Sequence, residues 1–414
     1  MNRVIILFLL TGSHYVMLGQ VATQLSLQEA INIALKNNGA VKTSVYELEG
    51  SKAQKKLSSD IGKTSVLGTF GQYNSYAKAD NNITITQSIP FPTVFSSTAS
   101  LGNALVRQSE LKIHRVENDL AFQVKSAYHH LVYLKALRQW IIRQDSINQS
   151  FLHAADVRYR TGEGKLIEKT TAETQTRQIK ATRMQNEADI RIGQTRLQTL
   201  LNAEELIDAS GELIALDFAR SDTSSLSGNS WLSYYQQQVV VAEKQKYVTR
   251  NHLLPDFTVG YFNQTLIGTS LQANSAELAT RSNRFQGFQA GISIPLWIRP
   301  QLAKIQVAEA QRRASASEYD LQKRNLQGSF NEAIQEYQKN RELLDYYLSA
   351  SLPNADLLLS QSQRAYQRGE ISYLEYLQSI STGTEIRTSY LITLNNYNQS
   401  IIMLEYLTGT STIH

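Results

Sequence analysis

The chain has no cysteine in 414 residues. That excludes disulfides, thiolate metal sites, cysteine nucleophiles and a lipid anchor attached to cysteine. A chain of this length needs no such staple to bury a core. Proline is scarce, with six in all. Pro90, Pro92, Pro255, Pro295 and Pro300 stand where alternating segments give way to helical ones. Proline is tolerated there because it can neither donate to a β-ladder nor continue a helix interior. No stretch after the first residues is apolar for long enough to predict a transmembrane helix. With four methionines in all, a dedicated relay of soft thioether ligands is not expected. Blocks of one charge are also missing. The net charge of +5 is spread along the chain, which reads as solvated helix faces rather than a nucleic-acid footprint.

Residues 1–20 read as a secretory signal. Arg3 gives the positive start, Val4 to Leu10 the apolar run, and Val16-Met17-Leu18-Gly19-Gln20 the cleavage region. The rest carries the same landmarks twice. Ser88-Ile89-Pro90 is answered by Ser293-Ile294-Pro295, and Tyr159-Arg160-Thr161-Gly162-Glu163 by Tyr366-Gln367-Arg368-Gly369-Glu370. Pro295 follows Pro90 by 205 positions and Gly369 follows Gly162 by 207. Leu197, Leu200 and Leu201 are matched by Leu404 and Leu407. Matching landmarks at one spacing predict a tandem duplication, with a period too long for a solenoid.

Each half reads as helix, β-hairpin and long helical arm. Residues 26–62 predict a helix capped by Ser26. Ser65 to Tyr76 and Ile83 to Ile89 predict the arms of a first hairpin around Asp80-Asn81-Asn82. From about Ser97 to Arg158 the spacing of Ile113, Val116, Leu120, Val124, Ala127, Leu131 and Leu134 predicts a heptad-like helix. Sixty such residues reach about 90 Å. A second helix is expected from Leu166 to Leu201. The boundaries follow: first repeat 21–205 (hairpin 64–90, long helices 97–202), polar connector 206–230, second repeat 231–414 (hairpin 255–295, long helices 301–408). The fold class is mainly α with a membrane β part. Strands with one apolar and one polar face fit a barrel with lipid outside and water inside. Four strands cannot close one, and an open edge in lipid is prohibitive. Several chains must therefore share a barrel.

The order and double occurrence of Ser-Ile-Pro and Tyr-x-x-Gly-Glu, with Leu254-Pro255-Asp256-Phe257 and the C-terminal Tyr397 to Gly409 stretch, resemble the TolC-type outer-membrane efflux family over nearly the whole mature chain. The C-terminal motif is most similar to the branch serving heavy-metal and cation exporters of the RND type. The resemblance implies a homotrimer in which a 12-stranded outer-membrane β-barrel continues into a long α-helical periplasmic barrel. It implies an exit duct docked to a periplasmic adaptor and, through it, to an inner-membrane RND-type pump. The first hairpin departs from the family pattern, entering through Gly62-Lys63-Thr64 without Leu-Pro. A coiled-coil periplasmic adaptor without a barrel is the alternative.

By the resemblance, Gly162 and Gly369 mark the tips where an adaptor docks, with Tyr159, Arg160, Tyr366 and Arg368 as contacts. The plainer reading is that these side chains cover apolar helix surface with their stems. Glu168 and Glu375 fall where relatives carry acids at the periplasmic constriction. A neighbouring family acid is replaced by Gln378 and a basic partner by Ile371. The plainer reading for each Glu is a solvated helix residue. No enzyme, cofactor or metal site is expected. His129 and His130 are adjacent, so on a helix they point about 100° apart, and no catalytic triad or phosphate loop occurs.

Overall fold

A computed structural model describes residues 22–73, 75–218, 226, 228–271 and 276–409. The signal expected over residues 1–20, and most of the Ser221–Gly228 stretch, lie outside the described residues. The chain forms two compact units, and each draws on both halves of the sequence. One comprises residues 22–38, 120–218 and 333–404; the other comprises 39–119, the described part of 220–332, and 405–409.

The second of these units contains the hairpins. Strands β2 (Ser65–Phe70), β3 (Asn81–Ile89), β5 (Asp256–Gln264) and β6 (Phe285–Ser293) form one antiparallel sheet in the order β2-β3-β5-β6. The first arm is shorter than expected. It stops at Phe70 because Gly71, at φ 112°, turns the chain, and Tyr73 and Tyr76 stand exposed beyond it. Register sorts the residues onto two faces, because directly paired residues share a side. The row Val66, Ile85, Tyr261, Phe288 lies on one face, as does Ile89, Phe257, Ile292. Phe288 is 88% exposed. Ser65, Thr86, Gly260 and Gln289 form a row on the other face, as do Ser88, Thr258 and Gly291. A Cβ on Gly260 would stand 2.7 Å from Gln289 Nε2 and 2.9 Å from Ile85 O. A Cβ on Gly287, on the same face, would meet the Phe262 ring at 2.7 Å. This more polar face, which also carries Leu67, Phe262 and Phe285, is thus the crowded one, as the concave side of a curved sheet would be. At one end, Arg284 ties β3 to β5 through Asn81 Oδ1 at 2.6 Å and Asn263 Oδ1 at 2.5 Å.

Helices α2 (Gly39–Lys56), α5 (Ser230–Asn251) and the first parts of α3 (Pro92–Arg160) and α6 (Ile298–Tyr346) complete this unit. Arg115 of α3 lies over the rings of Trp231, Tyr234 and Tyr235 at 5.3 to 5.9 Å. Tyr406 donates to Asp119 at 2.8 Å.

The first unit is helical. It holds α1 (Leu27–Asn37), most of α3, α4 (Leu166–Leu201), the end of α6, α7 (Leu352–Gln367) and most of α8 (Tyr373–Thr408). Ser26 and Glu29 cap α1 reciprocally in a capping box. The single helix expected over 26–62 is broken at Asn38, which is extended and donates its side chain to Leu200 O at 2.9 Å. The core takes Leu120, Val124, Ala127, Leu131 and Leu134 from the expected seam, with Leu197, Leu201, Ile401 and Leu404. Between α6 and α7, residues Tyr347–Ser351 adopt a π-helix just before Pro353, which cannot supply the next main-chain donor.

The stretch expected as a plain connector contains a strand. β4 (Ile207–Ala209) pairs in parallel with β1 (Thr23–Leu25). Tyr128 donates to Leu25 O at 3.1 Å and also to Ser210 O, and Lys135 reaches Asp208 at 2.8 Å. Asn398, fully buried, donates to Ile214 O at 2.8 Å and accepts from Leu216 N at 2.9 Å.

Burial, helped by the charge of Lys125, pulls the pKa of His129 down to about 4. The unfolded chain titrates this group near 6.5. Below that pH the unfolded state binds a proton that the folded state refuses. Stability is therefore lost as pH falls from about 6.5 toward 4, by roughly 3 kcal/mol. Urea unfolding at pH 7 and pH 4.5 should show His129→Gln losing less on acidification than the parent chain.

Candidate functional site: two helix-ending turns

The two Tyr-x-x-Gly-Glu segments both fall in the helical unit, where each ends one helix and leads into the next. They close with the same hydrogen bonds. After α3, Gly162 N donates to Tyr159 O at 3.2 Å and Glu163 N to Arg158 O at 2.9 Å. After α7, Gly369 N donates to Tyr366 O at 3.0 Å and Glu370 N to Ala365 O at 2.9 Å. This paired pattern is the Schellman motif, which satisfies the last carbonyls of a helix and requires a left-handed residue. Gly162 supplies φ 81° and Gly369 φ 75°.

The side chains beside the turns divide by burial. Tyr366 is 3% exposed. It stacks on Tyr376 at 4.6 Å and meets Phe151 edge-on at 5.7 Å. Arg158 lies over the Tyr366 ring at 5.4 Å. Burial raises the pKa of Tyr366 and pushes that of Tyr376 up to about 12. Tyr366 thus packs into a core beside the turns, with Phe151, Ala155, Ala172 and Ile380. Tyr159, Arg160 and Arg368 are exposed. Lys169 lies over the Tyr159 ring at 5.5 Å. Arg160 and Lys169 both pair with Asp156 at 2.8 Å, and the hydrogen bond from Lys169 is the main cause of the lowered pKa of Asp156.

Glu168 and Glu375 each occupy the third position of their helix, α4 and α8, and are used differently. Glu375 is exposed; its carboxylate accepts from Ser372 N at 2.7 Å, and its own amide donates to Ser372 Oγ at 3.3 Å. Hydrogen bonds to the carboxylate from the Ser372 hydroxyl, and then from the Ser372 amide, hold it below the usual range. Glu168 follows Lys165, which makes no side-chain cap. One Glu168 carboxylate oxygen is buried without a hydrogen-bond partner, as is the Tyr366 hydroxyl. The local pattern Ser372-x-x-Glu375 is the sequence signal that could have found this cap. The Phe151–Tyr366–Tyr376 cluster has no such signal, because its members come from three helices.

No protein-family profile matches the chain, and no curated protein matches it. Solved structures do. The outer-membrane channel OprN matches at TM-score 0.79 and 15% identity, over 92% of this chain and 89% of its own. CusC, whose structures concern conformational changes accompanying folding and transmembrane channel formation, matches at 0.77 and 16% identity, over 94% and 92%. The CmeC outer membrane channel of Campylobacter jejuni matches at 0.76 and 13% identity, over 93% and 86%.

The chain has the fold of these outer-membrane channels. The TolC-type resemblance read from the motifs agrees with that fold. The fold does not single out a heavy-metal branch or any other substrate class. Among the described residues no group of three or more His, Cys, Asp or Glu side chains is placed to hold a metal ion.

Nothing lies within 4 Å of a Cβ built on Gly162 or Gly369, so substitution there is opposed by backbone strain alone. A left-handed non-glycine residue costs about 1–2 kcal/mol, and Asn least. Thermal unfolding should therefore rank Gly162→Asn above Gly162→Ala, with Gly162→Val least stable.

Proposed function

We propose that this chain is an exit duct in the outer membrane of a Gram-negative-type bacterium, acting as a homotrimer. Its partners in a tripartite export system would be a periplasmic adaptor and an inner-membrane RND-type pump. The observation that carries this reading is the four-stranded antiparallel sheet with an apolar face, a polar crowded face and two unpaired edges, in a chain with the fold of outer-membrane channels. Among the described residues no helix is long and apolar enough to cross a membrane, so the sheet is the element offered to lipid. Strand directions alternate across β2-β3-β5-β6. The β6 edge of one copy can therefore pair antiparallel with the β2 edge of the next. Three copies would give twelve strands closed on themselves, with no edge left in lipid. A coiled-coil adaptor without a barrel would account for the helices and leave such a sheet unexplained.

In this reading the two Schellman turns form the periplasmic tip, where the exposed side chains of Tyr159, Arg160 and Arg368 meet the adaptor. Glu168 and Glu375 narrow the entrance. Three copies bring six carboxylates to one opening, and a low-dielectric wall focuses their field. The cargo we propose is a cation or a small toxic compound. The C-terminal motif and these carboxylates favour the cation.

Reconstituted in planar bilayers, the protein should conduct ions with a preference for cations. Gln can replace Glu in a capping box, so Glu375→Gln leaves the fold intact. The pair Glu168→Gln with Glu375→Gln should lower cation selectivity and weaken block by multivalent cations at low salt. Conductance with unaltered selectivity would remove the constriction role. Absence of conductance in the parent protein would remove the duct.

A further inference from the structure

In the helical unit, α3, α4 and α8 line a half-open groove of about 260 Å³, roomy enough for a small ligand. No charged side chain lines it. Four primary amides do: Gln144 and Asn148 from α3, Gln175 and Gln178 from α4. Asn148 is 9% exposed, whereas Gln178 stands at the open rim. Among the described residues none of these four side-chain amides has a hydrogen-bond partner within the protein. Neighbouring hydroxyls are already committed to main chain, Thr182 to Gln178 O at 3.2 Å and Thr384 to Ser381 O at 3.0 Å. Ile147 and Ile380 supply an aliphatic wall.

Each amide offers two donors and a carbonyl acceptor. Amides on adjacent helices can satisfy one another; here no hydrogen bond joins any two of them. A charged ligand would give up hydration and find no countercharge. A wholly apolar one would strand the amides. We infer that this groove is a binding site for an uncharged, hydroxyl-bearing ligand the size of one sugar ring. The ring's C–H face lies on Ile147 and Ile380, and its hydroxyl or acetamido groups bond Gln144, Asn148, Gln175 and Gln178. The site rests on the groove alone and stands whether or not the chain conducts.

N-acetylglucosamine is a suitable probe, titrated by calorimetry or ligand-detected NMR into the full chain in detergent. Protonated glucosamine, the same ring with a positive charge, is the counter-probe. The expected result is saturable binding of the neutral sugar and at least about tenfold weaker binding of the charged one. Asn148→Leu and Gln175→Leu should each weaken the neutral sugar about threefold to tenfold, the worth of one hydrogen bond. Gln178→Ala, at the exposed rim, should weaken it in the same range with an unchanged thermal midpoint. This variant decides the matter if the buried ones fail to fold. No saturable binding up to concentrations of order 10 mM would overturn the assignment. So would equal binding of both sugars, or unchanged affinity in Gln178→Ala.

Discussion

The duct proposed for this protein depends on one constraint: a backbone N–H or C=O facing hydrocarbon must have a partner. Among the described residues the sheet satisfies β3 and β5 on both sides and leaves β2 and β6 with one free side each. In water such edges are tolerable, and charges or bulges usually guard them. Here the strands carry Val66, Ile85, Val259, Phe288 and Ile292 outward on one face, which suits lipid and not water. An apolar face and open edges are compatible only if another copy closes the sheet. In the proposed barrel the opposite face, with its Thr, Ser, Gln and Gly and its crowding at Gly260 and Gly287, would line a wet interior.

At the tips the physics is that of helix ends. The two turns share the Schellman hydrogen bonds and the left-handed glycine, and each is followed by a Glu at the third position of the next helix. One of these carboxylates completes a capping box with Ser372; the other, after Lys165, is left with a buried unpartnered oxygen. Equivalent positions have thus taken unequal tasks. Glu375 contributes to helix initiation, and Glu168 lies beside a buried tyrosine hydroxyl that also lacks a partner. A buried acceptor and donor without partners are costly to maintain, which makes Glu168 the stronger candidate for a functional role.

Much of this was legible in the sequence. Alternation located the arms of both hairpins, and the heptad spacing from Leu120 to Leu134 located a real core seam. The doubled Tyr-x-x-Gly-Glu located both turns. Features set by distant partners were not legible. The break at Asn38 depends on Leu200, 162 residues away. The three-residue β4 depends on β1 and is too short to show a period. Tyr366 read as a surface contact, because burial by Phe151 and Tyr376 requires three helices to converge. Local chemistry marks turns and caps; it does not mark which apolar stripes will meet.

Because the chain has no cysteine, introduced thiols can report directly on the shared barrel. Val66→Cys on β2 would be combined in turn with Phe288→Cys, Ala290→Cys or Ile292→Cys on β6, residues that lie on the same face. Within one chain the two edges are three strand spacings apart, about 14 Å, beyond the reach of a disulfide. Any bridge must therefore join two chains. Oxidation in outer membranes, followed by non-reducing electrophoresis, should give a covalent species that ends at three chains for at least one pairing. Monomer alone at every pairing, or a ladder that runs past three, would contradict a closed trimeric barrel.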